Sequence, residues 1–345
     1  MNSTAQHLAL ASVDDYLGPS DKRFFAAGYR RAEHTVECVS VTAADAEAPG
    51  VSASVTVDYP SDWSKKKDEI DIPPHLSSID VLVLAAQLAE AHLTHAFGLD
   101  DRQRAALRLR RVRLSAGSTP QEELADLPAE ARLLSTRPLD EEPGTCLSVY
   151  DCRIGQMRAR CEVEHVKGAA AVSEATFGSL EDLLGPAGLR YYGTGFTRDR
   201  QHIDTVRADL TELSAGAGVT LSRAPETPPA TAGVEGMLRP APSMVDCFVT
   251  NLQLAQILMY EMDAVRRSDS NTLWMLRTVL DSSKAGQPPA EDTSLPLHTR
   301  VTGKHLLPLR GGIWRNVEIA GAFGGISLRC SLAHELPPAA AATAV

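Results

Sequence analysis

Two stretches of the chain are apolar around the whole circumference of a helix. Residues 77–99, "SSIDVLVLAAQLAEAHLTHAFGL", and residues 243–265, "SMVDCFVTNLQLAQILMYEMDAV", have few polar positions and no hydrophilic face. That is the pattern of a helix buried on nearly every side, not along one stripe. Prolines stand ahead of both, Pro73-Pro74 and Pro240-Ala241-Pro242, as at a helix start. Upstream of each helix lie two β-like stretches: "HTVECVSVTA" (34–43) with "VSASVTVDY" (51–59), and "HIDTVRADL" (202–210) with "AGVTLSRA" (217–224). Polar, proline-rich residues at 115–144, 224–236 and 282–296 predict long loops. The tail "PPAAAATAV" (337–345) predicts disorder.

The two halves of this pattern match residue by residue. Asp80 lies over Asp246, Gln87 over Gln253, Leu88 over Leu254 and Ala89 over Ala255, all 166 apart. Near the amino end, "DDYLGPSDKRFFAAGYRR" (14–31) returns as "EDLLGPAGLRYYGTGFTR" (181–198); Asp15, Gly18, Pro19, Arg23, Gly28 and Arg31 each find their own residue type 167 positions on. "RLRRVRLSAG" (108–117) lies over "WMLRTVLDSS" (274–283), and "GQMRARCEVEH" (155–165) over "GGISLRCSLAH" (324–334). Such self-similarity is a tandem duplication, with halves at residues 12–167 and 179–336. Each half runs strand, strand, long helix, then several strands, an α+β order because the strands follow the helix in a run. One long buried helix wrapped by an antiparallel sheet is the hot-dog arrangement. Two copies predict a tandem (double) hot-dog pseudo-dimer.

Composition narrows the function. A net charge of −10 over 345 residues argues against a nucleic-acid partner. No apolar run reaches the roughly 18 residues of a membrane span, and the amino terminus has no basic secretory region. The six cysteines form no CxxC pair and predict reduced core thiols in a cytoplasmic protein. No P-loop, GxGxxG after a strand, HExxH or GxSxG occurs, so neither a metal nor a cofactor is expected.

Candidate chemistry gathers on the helices. Asp80 and Asp246 stand where a carboxylate can act as acid or base, but Ser77-x-x-Asp80 and Ser243-x-x-Asp246 also have the spacing of capping boxes. Gln87 and Gln253 lie two turns further on the same face. A glutamine in so apolar a helix needs a partner in the fold or in a substrate. Only the first helix carries Glu90, His92 and His95; at 166 further on stand Gln256, Leu258 and Glu261. A Glu90 or His95 of near-neutral pKa can take a proton from a hydroxyl. Strand alternation puts His165 and His334 at the ends of apolar faces that also hold Cys161 and Cys330, where they can border a pocket. Arg23 and Arg190, beside the aromatic pairs, can hold a phosphate or carboxylate.

With "DDYLGPSDKRFFAAGYRR" and "IDVLVLAAQLAEAHLTHAFGLD", the sequence resembles the AvrD family, over about residues 12–336. The resemblance implies a biosynthetic role in syringolide-type acyl-sugar signals, in which a β-ketoacyl thioester (β-ketoacyl-ACP or β-ketoacyl-CoA) is joined to the ketose xylulose. The long helices are also similar to those of the A-factor synthase group, hot-dog proteins that esterify a β-ketoacyl group onto a three-carbon sugar phosphate. Neither resemblance assigns a catalytic residue. The working expectation places the thioester carbonyl at one helix's amino end, with Gln87 or Gln253 orienting it and Glu90 or a histidine as base. Two rivals stand beside it: a hot-dog thioesterase or dehydratase on acyl thioesters, and a non-enzymatic binder of an acyl or butenolide signal.

Overall fold

The structure, a computed structural model, describes residues 7–63, 73–117, 119–168, 173–224, 227–269, 273–282, 293–309 and 312–344. The first half runs β1 (His7–Ser12), α1 (Asp14–Leu17), β2 (Glu33–Val41), β3 (Gly50–Asp58), α2 (Ser78–Ala96), α3 (Asp101–Ala105), β4 (Arg108–Ser115), β5 (Leu127–Pro138), β6 (Thr145–Ile154) and β7 (Met157–Val166). The second runs β8 (Ala175–Ser179), α4 (Leu180–Leu184), β9 (Arg200–Asp209), β10 (Ser214–Ser222), α5 (Met244–Met262), β11 (Trp274–Asp281), β12 (Leu295–Leu309), β13 (Gly312–Phe323) and β14 (Ile326–Glu335), and ends in α6 (Pro338–Ala344).

Among the described residues all fourteen strands form one sheet in the order β1-β9-β10-β12-β13-β14-β11-β4-β7-β6-β5-β3-β2-β8. Exchanging each strand for its counterpart in the other half reverses this order onto itself, so the sheet has a pseudo-twofold axis between β4 and β11. Those two strands pair antiparallel there, Val112 opposite Leu280 and Arg113 opposite Val279. The sheet wraps α2 with β2–β7 and α5 with β9, β10 and β12–β14. Residues 78–93 of α2 and 244–260 of α5 are buried without exception, as their all-round apolar pattern requires. A fully buried Val, Leu, Ile or Phe contributes about 1.5–3 kcal/mol. The two helices therefore outweigh any single polar contact in holding the fold. This is the tandem hot-dog arrangement. Among the described residues no helix is long and apolar enough to cross a membrane.

Several expectations are corrected. Residues 115–144 are not one loop: β5 occupies Leu127–Pro138, with Leu127, Ala129, Ala131 and Leu133 turned inward. Its period-two signal is carried half by alanine, which is why the charged and proline-rich surroundings hid it. The tail expected to be disordered carries α6. Most of the predicted loop at 282–296 lies outside the described residues. Cys38 is exposed and not a core thiol, the other five cysteines being buried. It sits at φ 53° where β2 bulges, and its counterpart Thr205 in β9 has φ 51°.

The leading strands β1 and β8 were not predicted, and they cross between halves. β1 pairs with β9, and β8 with β2. Each repeated leading block therefore lies over the helix of the other half. Arg23 Nη1 donates to Gln253 Oε1 at 2.7 Å, and Arg190 Nη1 to Gln87 Oε1 at 2.9 Å. Gln253 Nε2 returns a bond to the Phe25 carbonyl at 3.1 Å, and Tyr16 Oη donates to Glu261 at 2.6 Å. The glutamines kept in both helices are thus the latches that hold the exchanged blocks. Gln87→Leu leaves the buried Arg190 without that acceptor and is expected to cost about 1–3 kcal/mol in urea unfolding. Adding Arg190→Met is expected to recover much of the loss, whereas additive losses in the double variant would refute the latch.

Candidate functional site

The amino end of α2 is built by its cap. Ser77 Oγ accepts from the Asp80 amide at 3.2 Å and Asp80 Oδ2 accepts from the Ser77 amide at 2.9 Å, a complete capping box. Asp80 also accepts from Tyr59 and bonds His34 Nε2 at 2.9 Å. Burial pushes its carboxyl up, but the bonds from His34, Ser77 and Tyr59 outweigh that and hold its pKa below the ordinary value. Asp246 caps α5 in the same way and accepts from Gln201 Nε2 at 2.6 Å. Both aspartates are thereby committed to the helix ends. The box leaves the amides of the first helical residues, Ser78 and Ile79, outside its own bonds.

In front of that end, between α2 and the middle of α5, lies a cavity of about 430 Å³. Phe24, Phe25, Trp63, Trp274 and Trp314 form its apolar wall. Arg23, His75, Ser78 and Gln256 are among its polar lining groups. Arg23 is 4% exposed. One of its terminal nitrogens is held by Gln253 and the other by Asp14, while Nε finds no partner among the described residues, nor does Trp314 Nε1. Burial lowers the Arg23 pKa to about 10, so it stays cationic at neutral pH. Burial likewise pushes His75 below the usual histidine value, against the opposing pull of a bond to the Pro73 carbonyl. The ring is therefore neutral at pH 7, and the nitrogen not bound to Pro73 is left to accept a proton. Trp63 meets the imidazole edge-on, with centroids 5.1 Å apart.

The pseudo-symmetric place, in front of α5, is filled. Residues 230–241 enter it: the Val234 amide donates to Glu90 Oε2 at 3.3 Å, and the Glu235 amide to the Leu107 carbonyl at 2.7 Å. Tyr192 Oη donates to Glu235 at 3.0 Å, and the Arg239 guanidinium lies 4.1 Å from the Tyr191 ring centroid. Glu90 is 1% exposed and accepts from Arg104 Nε at 3.1 Å. A side chain on Gly233 would meet its carboxylate within 3.0 Å.

The structure thus separates the residues singled out by sequence. Arg23 lines the cavity, and Gln253 reaches its edge through Arg23. Gln87 and Arg190 bind each other on the other side. Glu90 sits in the filled place, paired with Arg104. His95, near the far end of α2, bonds the Ser173 carbonyl at 2.6 Å and does not approach the cavity. His165 bonds Ser148 Oγ at 2.8 Å at the end of β7 away from the cavity. His334 stands at the cavity end of β14, next to the lining residue Glu335, but is itself fully buried 3.3 Å from the Asp263 carboxylate and is not part of the lining. His75, Gln256 and the three tryptophans were missed. The available signal was asymmetry between the halves, since 166 residues beyond His75 stands Ala241, and Gln256 answers to Glu90.

Two wrapped helices in one continuous sheet, with a cavity at the amino end of one, define a double hot-dog protein. The chain belongs to the AvrD family: the family described as Pseudomonas avirulence D protein (AvrD) matches residues 7–337. Among solved structures it is similar to a double-hot-dog protein of Mycobacterium tuberculosis essential for survival during infection, at 13% identity and TM-score 0.41, covering 76% of this chain and 82% of that one. It is also similar to a tesB protein of Mycobacterium avium subspecies paratuberculosis, at 10% identity and TM-score 0.35, covering 83% and 93%. The third is an inactive variant of the CurJ dehydratase, at 10% identity and TM-score 0.34, covering 87% and 96%. A search of curated proteins gave no match.

Glu90→Gln removes the buried counter-charge of Arg104 and is expected to cost about 3 kcal/mol in urea unfolding. Because Glu90 does not line the cavity, any binding of a β-ketoacyl thioester probe that calorimetry detects with the wild type is expected to be unchanged in the variant. Loss of that binding with stability intact would place Glu90 in the working site instead.

Proposed function

We propose that the protein is an acyltransferase that joins a β-ketoacyl thioester to a hydroxyl of a ketose such as xylulose. Membership of the AvrD family supports the acyl-sugar chemistry. The observation that carries the reading is the cavity itself, where an apolar aromatic wall ends at a helix amino terminus beside a neutral histidine and two donors, Arg23 Nε and Trp314 Nε1, that have no partner among the described residues. Its volume of about 430 Å³ falls within the range of small-molecule sites.

The acyl chain lies along Phe24, Phe25 and Trp274, and the thioester carbonyl meets the amides of Ser78 and Ile79. The helix end carries a partial charge of roughly +0.5 there. His75 takes the proton of the sugar hydroxyl as that oxygen bonds to the carbonyl carbon. The helix end stabilises the oxyanion that forms, an effect of about 10²–10³ in rate for one well-placed donor. On collapse the carbon–sulfur bond breaks, and the imidazolium returns its proton to the leaving thiolate. Gln256 and the two unpartnered donors hold oxygens of the β-keto group and the sugar.

The reading is tested by incubating the protein with a β-ketoacyl thioester, with and without xylulose, and following products by mass spectrometry. An acyl-xylulose mass that appears only with the sugar is expected. Free acid formed equally without sugar would make the protein a thioesterase, and stabilisation without turnover would make it a binder.

His75→Ala is expected to lower kcat about 10²-fold or more. Because the His75 pKa is lowered on folding, the neutral base persists below pH 6.5, and the rate should fall only at more acidic pH; the variant should lose that limb. The same shift contributes stability that is fully present above the unfolded value and is lost as pH falls through the folded one. A wild-type acid limb at or above pH 6.5 would remove His75 from the role of base.

A further inference from the structure

The outer face of the central strands carries arginines in a pattern that the fold itself does not require. Next to the cavity rim, one row across the sheet reads Glu130, Arg153, Arg158, Ser115, Arg277, Ser331, Glu318, three arginines between two flanking glutamates. The next reads Asp151, Arg160, Arg113, Val279, Arg329. Arg153 stands directly opposite Arg158, and Arg113 directly opposite Arg160. Like charges so placed, about 5 Å apart at the β-carbons, destabilise a sheet. Arg160 reaches Asp151 at 3.6 Å and Arg113 reaches Glu162 at 3.8 Å, but Arg158, Arg277 and Arg329 make no ion pair among the described residues. One row further from the rim the face is balanced, with Arg111 between Glu162 and Asp281. All this stands on a chain with 44 acidic and 34 basic residues.

The patch adjoins the cavity. Met157, which lines it, precedes Arg158, and Met275, also lining, is two residues before Arg277. Between Met275 and Arg277 the ladder bulges, and Leu276 is left 41% exposed. Bulges re-aim a side chain in this way, here an apolar one at the cavity-side edge of the arginine rows, next to Arg277.

We propose that this face docks an acidic acyl carrier protein, so that the acyl chain enters the cavity on a carrier thiol arm and not as a free coenzyme thioester. The inference deepens the acyl-transfer reading and rests on it. Charge complementarity selects the partner. A second copy of the chain would set arginine against arginine across a twofold contact, whereas an acidic surface gains both attraction and faster encounter. Leu276, between the arginine rows and the cavity mouth, supplies an apolar contact where the carrier's arm would enter.

The test uses a bacterial acyl carrier protein in its phosphopantetheinylated form, carrying a β-ketoacyl group, and the double reversal Arg158→Glu/Arg277→Glu in the full chain. Calorimetry is expected to show binding to the wild type, weakened about tenfold or more by the reversal and by added salt, since exposed charges are screened. Arg102→Glu in α3, at the other end of β4, should leave it unchanged. In turnover, the KM for the carrier-bound donor should rise while that for a short pantetheine thioester stays put. Equal binding by wild type and reversal would overturn the proposal. So would an equal KM rise with the coenzyme A thioester, which would assign the arginines to its phosphates, or a salt-sensitive self-association lost in the variant. Should acyl transfer itself fail, no donor gives product, and the binding arm still decides the docking.

Discussion

A helix with no polar face cannot give any side to water, and the rest of this molecule follows from having two of them. A sheet that curls around α2 or α5 covers most of the circumference but leaves the side away from the strands. Here that side is closed by the leading block of the opposite half, which brings its own strand to the sheet margin and an arginine to the helix. The one glutamine that each helix keeps at matched positions, Gln87 and Gln253, is where the block is latched. Burial supplies the energy, and the Arg–Gln contact helps set the register, because a guanidinium only 2–4% exposed cannot give up an acceptor to water.

The same construction yields two different results at the two helix ends, and a few atoms account for the difference. In the second block the aromatic pair is Tyr191-Tyr192; their hydroxyls donate to Ser243 Oγ and to Glu235, tying residues 230–241 down across the end of α5. In the first block the pair is Phe24-Phe25, which has no hydroxyls to offer and becomes an apolar wall. Glu90 receives an amide from the filling segment, whereas its counterpart Gln256 lines the cavity. One end is completed by protein and the other opens into a cavity.

The duplication, the buried helices and the α+β order were legible because they rest on local pattern and on matches at a constant offset. The exchange of leading blocks was not, since nothing in "DDYLGPSDKRFFAAGYRR" says which of two similar helices Arg23 will meet. Pairing of that kind is settled by which sheet edges are left over once all the strands have assembled. β5 was hidden by composition: alternating Leu and Ala among glutamates and prolines gives a weak periodic signal. His75 was hidden by position. It stands in the proline-rich approach to α2, where a sequence pattern reads as helix start and the residue looks incidental until the fold sets it against Trp63 at the cavity.

Within a duplicated chain, identity between the halves proves a poor guide to chemistry. The matched pairs Asp80 and Asp246, Gln87 and Gln253, Arg23 and Arg190, and His165 and His334 are engaged by the fold, as caps, latches and strand-end bonds, because both halves have to fold the same way; Arg23 alone among them also lines the cavity. A homodimer would be obliged to carry two identical sites. Fusion into one chain lifts that obligation, so that one site is free to be filled for stability while the other keeps its opening. The positions that diverged, His75 against Ala241, Gln256 against Glu90 and Phe24-Phe25 against Tyr191-Tyr192, are the ones that meet at the cavity or fill its twin. Divergence between repeats, read at a fixed offset, therefore points to the cavity more directly than the identities that first revealed the repeat.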